Sequence, residues 1–121
     1  IARDQCDELL AHCRKCGFAR LAIVGVSDFA EIVALYARTE DVEIAYVVDA
    51  TSNQSKVAGI PVVHNLDEAG PVDAVIVTDI AAPQKTFETL TKLLPEHRVL
   101  TPSILRVDRT RRFRDQHGTP K

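Results

Sequence analysis

Five short runs of branched and apolar residues recur along the chain, and the segments between them carry the period of amphipathic helices. The runs are RLAIVG (20–25), EIAYVVD (43–49), IPVV (60–63), DAVIVTD (73–79) and RVLT (98–101). Their interiors are apolar on both sides, as strands are when helices cover both faces of the sheet. Residues 3–16 place Cys6, Leu9, Leu10 and Cys13 at helical spacing and end at Gly17. Residues 28–38 put Phe29, Ile32, Val33 and Tyr36 on one face, with Asp28 in the first turn or at the N-cap. NLDEA (65–69) reads as a helical turn stopped by Gly70 and Pro71, and Pro83 opens a further helix whose buried face is Phe87, Leu90 and Leu94.

Strands that alternate with helices call for a parallel sheet joined by right-handed crossovers. The expected fold is therefore α/β, a Rossmann-like three-layer sandwich with a five-stranded parallel sheet of order 3-2-1-4-5. A length of 121 residues suits one domain with a real core. That domain is expected over 1–105, with 1–17 as a helix linking to a further domain and 106–121 as a basic tail. The sequence begins Ile-Ala-Arg and contains no methionine, so it is read as a piece of a longer protein. No stretch approaches the roughly 20 apolar residues of a membrane span, and no signal-peptide pattern opens the chain.

In such a sheet, ligands bind outside the carboxyl ends of the strands, near the point where the strand order reverses. This topology selects Gly25, Val26, Ser27 and Asp28 after the first strand, Asp49 after the second, and Thr78 and Asp79 after the fourth. Asp49 stands where an acid commonly accepts hydrogen bonds from a ribose diol. The glycine-rich phosphate loop is incomplete: Ser27 and Ala30 replace its second and third glycines, and Asp28 brings a carboxylate to the helix start. That carboxylate would repel a phosphate in the same pocket. The loop therefore argues against a dinucleotide cofactor and for a neutral or cationic ligand, or none. His64 and His97 lack a nucleophile beside them, and no catalytic constellation is expected.

Cys13 and Cys16 form a C-x-x-C next to His12, a spacing used by redox pairs and metal half-sites. Cys6 and Cys13 also lie on the apolar stripe of the first helix, and no second pair completes a zinc set. Structural thiols in a reducing cytoplasm are the expected reading, with no metal. Charge is uneven. From Arg106 onward there are six Lys/Arg against two Asp/Glu, while residues 1–105 carry nine basic and fifteen acidic residues. Nucleic-acid contact by this piece would rest on Arg109, Arg111, Arg112 and Arg114, and its acidic body is a poor surface for it.

AIVGVSDFAEIVALYA, YVVDATSNQSKVAGIPVV and DAVIVTD together resemble the Rossmann-like N-terminal domain of bacterial sugar O-acyltransferases. They are also similar to the related C-terminal domain of some bacterial winged-helix, MarR-like transcription regulators. The resemblance covers residues 18–105, and GIPVV is its most distinctive part. Gly25 and Asp49 match the acyltransferase domains, where the first loop contacts a nucleotide-linked sugar; Ser27 and Asp28 depart from them. No hexapeptide repeats follow that would supply an acyltransferase with its catalytic part. The resemblance implies a ligand-sensing or dimerisation domain of a regulator whose DNA-binding domain lies before Ile1. A small-molecule effector and a homodimer are then the expected partners, and DNA would be read only by the preceding domain. The alternative is a nucleotide- or nucleotide-sugar-binding domain of a cytoplasmic enzyme.

Overall fold

The first helix, α1 (Ala2–Cys16), closes with a pair of hydrogen bonds that turn the chain sharply into the sheet. Phe18 N–H reaches the Cys13 carbonyl at 2.8 Å and Gly17 N–H the Arg14 carbonyl at 3.2 Å, with Gly17 at φ +77°. This is a Schellman cap, and the left-handed backbone it needs explains the glycine. The chain continues through β1 (Arg20–Val24), α2 (Asp28–Thr39), β2 (Glu43–Val48), β3 (Lys56–Val57), β4 (Ile60–Val63), β5 (Ala74–Val77), α3 (Pro83–Leu90) and β6 (Val99–Leu100). The computed structural model describes residues 2–110.

One mostly parallel, six-stranded sheet orders these strands β3-β4-β2-β1-β5-β6. Parallel ladders join β1 to β2 and β5, β2 to β4, and β5 to β6. The sheet thus has one strand more than the five expected. The addition is β3, which folds back antiparallel on β4, with Val57 opposite Ile60. Ala58 (φ +50°) and Gly59 (φ +83°) supply the two left-handed residues of the tight hairpin between them. The Arg38 guanidinium donates to the Ala58 carbonyl and holds that turn against α2. The final strand is shorter than RVLT implied, and α3 stops at Leu90, leaving Leu94 beyond the helix but still packed on the core.

Alternation along the strands divides the core into two layers. Leu21, Ile23, Val47, Ala74 and Ile76 face α1 and α2, meeting Cys6, Leu10, Cys13, Val33 and Ala37. Ala22, Val48, Val75, Val77 and Val99 face the other way, toward Phe87 and Leu90 of α3. At the amino ends of the strands, the Asp73 carboxylate accepts from Ala19 N–H (2.8 Å) and Arg20 N–H (2.9 Å). These bonds, together with the nearby Arg98 and Arg20 charges, hold Asp73 below the usual carboxylate range against a smaller opposing effect of desolvation.

Packing continues past Leu105. Val107 joins the α3 layer, and the Arg109 guanidinium lies 5.0 Å from the centre of the Phe87 ring. Arg109 also donates to Glu96 at 2.8 Å and to Thr101 at 2.6 Å. Arg109, expected as a phosphate contact, is thus engaged within the fold. Arg111, Arg112 and Arg114 lie outside the described residues. Cys6 and Cys13 are buried and Cys16 exposed, all three as free thiols. Burial, followed by the influence of Cys16, pushes the Cys13 thiol up to about 11.

Candidate functional site

At the carboxyl ends of the strands the loops after β1, β2 and β5 are knitted together. Gly25 is the crossing point. Its N–H donates to the Val48 carbonyl at 2.9 Å, and its carbonyl accepts from the Thr78 hydroxyl at 2.6 Å. A Cβ on Gly25 would stand 2.6 Å from Asp79 N and 2.7 Å from Asp79 Cα, on a backbone already at φ +111°. The glycine is demanded by this close approach as much as by the turn. Ser27 caps α2: its Oγ accepts from Ala30 N–H at 3.0 Å and donates to the Thr78 carbonyl at 2.8 Å. Asp28, expected in the first turn or at the N-cap, is the exposed first residue of the helix.

The two acids of the site have turned inward. Asp49 Oδ2 accepts from Val26 N–H at 2.8 Å, across 23 residues of sequence. Its Oδ1 accepts from Thr51 N–H, the Thr51 hydroxyl and Ser52 N–H at 2.9, 3.0 and 3.1 Å. Desolvation pulls Asp49 upward, but these four donors outweigh it and hold the carboxyl below its ordinary value. Asp79 binds the next loop with three bonds of its own, Oδ1 accepting from Ala81 and Ala82 N–H and Oδ2 from the Thr86 hydroxyl at 2.6 Å.

Beside this knot lies an open cleft of about 710 Å³ between the strand ends and α3. Of the seven residues selected from sequence, Gly25, Val26, Asp49 and Asp79 line it; Ser27, Asp28 and Thr78 do not. Thr78 is wholly buried, with its hydroxyl spent on the first loop. The cleft also takes in His64 after β4 and Lys85, Thr89 and Leu93 from α3 and the turn that follows it. Sequence reasoning set His64 aside and missed the α3 residues. A signal was present: with Phe87, Leu90 and Leu94 assigned to the core, positions 85 and 89 fall on an adjoining stripe of a helix that starts at the strand ends.

A second groove, about 480 Å³, separates α1 from the segment around β6. Much of its polar lining is committed to the fold. Gln5 Oε1 accepts from Ser103 and Ile104, and Arg109 is held by Glu96 and Thr101. Among the described residues no group of three His, Cys, Asp or Glu side chains could hold a metal ion, and no helix is long and apolar enough to cross a membrane. No family model and no curated protein sequence matches the chain.

Proposed function

We propose that this is the ligand-sensing domain of a bacterial transcription regulator, a Rossmann-like fold turned from dinucleotide binding to effector binding. The observation that carries the reading is the Asp49–Val26 bond. A pyrophosphate on the first loop needs its backbone N–H groups, and the Val26 N–H is already held by a carboxylate of the protein itself. The same acid, which a ribose diol would need, has its other oxygen filled by three donors. Ser27 and Asp28 occupy the start of α2. An effector is left the cleft beside α3, whose volume of about 710 Å³ falls within the range of small-molecule sites. An enzyme domain for nucleotides or nucleotide-sugars would need the first loop open, so the sensing reading is preferred.

In this reading DNA is bound by a domain outside the present sequence, and the acidic body from 1 to 105 contributes no DNA-reading surface. The domain works in the cytoplasm as part of a homodimer. The test is a thermal-shift screen of metabolites on the domain, followed by DNA binding of the full-length regulator with each stabilising compound. The expected result is a compound that stabilises the domain, changes DNA affinity, and loses both effects in Thr89→Trp, which fills the cleft from an exposed helix position. Binding that survives Thr89→Trp and instead disturbs the first loop would favour the nucleotide reading.

A further inference from the structure

Resting on the cleft as effector site, the chemistry of its lining narrows the class of effector. The hydrogen-bonding groups fall into two sets. The first comprises the two carboxylates, which between them already receive seven donors. Asp49 accepts four hydrogen bonds and Asp79 three. Each carboxylate oxygen has about two lone-pair sites, so Oδ1 of both acids is full and about one site remains on each Oδ2, beside the bond from Val26 on Asp49 and from Thr86 on Asp79. The Thr51 and Thr86 hydroxyls are donating into these same carboxylates. An ammonium group entering the cleft would find two negative charges whose oxygens are mostly engaged, with about one open acceptor site on each.

The second set is unspent and supplies donors: the Lys85 ammonium donates only, while the Thr89 hydroxyl and the His64 ring can donate as well as accept. Lys85 forms no salt bridge with a described residue, and neither its ammonium, the His64 ring nor the Thr89 hydroxyl is hydrogen-bonded to one. Lys85 and Thr89 are one helical turn apart on α3, on the side that lines the cleft. Next to them Leu66, Leu90 and Leu93 offer apolar surface, with Leu93 62% exposed. Donors beside an apolar wall fit a ligand with an acceptor-rich, negatively charged head and an apolar body.

We infer that the cleft takes a small organic anion, a carboxylate or a phosphate monoester, its head on Lys85 and Thr89 and its apolar body along Leu66, Leu90 and Leu93. The opposing charge of Asp49 and Asp79 disfavours polyanions such as dinucleotides and leaves room for a singly or doubly charged head.

The experiment holds the body constant and varies the head. Hexanoate, hexyl phosphate, hexylamine and hexanol are titrated into the ¹⁵N-labelled domain while amide shifts are followed. One or both anions should move the amides of Leu66, Lys85 and Thr89 saturably, roughly tenfold more tightly than hexylamine or hexanol. Which anion binds identifies the head as carboxylate or phosphate. Lys85→Gln should weaken the anion several-fold to about tenfold and leave hexanol unchanged. Hexylamine binding as tightly as the anions, or anion binding indifferent to Lys85→Gln, overturns the anion assignment while leaving the cleft as the site. If none of the four probes moves these amides, both the anion assignment and the cleft reading fall.

Discussion

Replacing Gly25 with alanine puts one methyl group where two loops cross. The added carbon would stand 2.6–2.8 Å from the nitrogen, Cα and Cβ of Asp79, and no real Cβ approaches neighbours so closely. Two of those atoms are backbone, so no rotamer change can relieve the overlap. Overpacking of this kind costs about 1–3 kcal/mol. The backbone at φ +111° adds about 1–2 kcal/mol for any residue with a side chain. The expected loss is therefore about 2–5 kcal/mol, a large share of a small domain's usual stability of 5–15 kcal/mol. At about 4 °C per kcal/mol for a chain of this size, Tm should fall by roughly 8–20 °C. Urea unfolding followed by circular dichroism is the assay. The midpoint should drop with little change in slope, and effector binding should weaken because Gly25 and Asp79 both line the cleft. A change below about 0.5 kcal/mol would refute the crossing of the loops after β1 and β5 on which the site is built.

Asp49 and Asp73 both have carboxyls held below their ordinary value of 3.8 in the folded state, so their contribution is complete above that pH and is lost as pH falls through the lowered folded values. Urea midpoints measured between pH 6 and pH 2 should decline below about pH 4, and Asp49→Asn should flatten part of that decline while destabilising the neutral-pH protein, because its NH₂ faces Val26 N–H or the Thr51–Ser52 donors. Thr78→Val, nearly isosteric at a fully buried site, removes bonds to the Gly25 and Val24 carbonyls and should cost about 1–2 kcal/mol by the same assay. Of the three thiols, Cys16 alone should react quickly with a thiol reagent in the native state, with Cys6 and Cys13 released by denaturant; fast reaction of Cys13 would contradict its burial and its pKa of about 11.

Much of the fold was legible because it rests on periodicity. Each of the five apolar runs contains a strand, and α1 and α3 bury Cys6, Leu10, Cys13, Phe87 and Leu90 as their period assigns. On α2 the expected face was met only at Phe29 and Val33: Ile32 is exposed and Tyr36 half-buried, because the helix packs through the small side chains of Ala30, Ala34 and Ala37. The hairpin at β3 escaped because VAGI lacks the Asn-Gly or Asp-Gly signature; an alanine takes the left-handed position that usually announces such a turn. The candidate site was located by topology but not in its chemistry. Sequence spacing placed Gly25, Val26, Asp49 and Asp79 at the strand ends, yet gave no hint that Asp49 would bend toward the Val26 amide. That bond depends on the close packing of β1 beside β2, a three-dimensional fact without local trace. Lys85 and Thr89 carry no apolar period of their own, so their place on the cleft side of α3 follows only once the helix is docked through Phe87 and Leu90.

Effector binding beside α3 presupposes a first loop closed by the protein's own carboxylate. Calorimetric titration of the domain with NAD, alongside Asp49→Ala, addresses that directly. The wild-type protein should bind NAD no more tightly than about 100 μM. Asp49→Ala should expose the Val26 N–H without creating a good site, since Ser27 and Asp28 still guard the helix start. Micromolar NAD affinity in the wild type would contradict the account, because it would require Asp49 to leave Val26 for a ligand that the present geometry excludes.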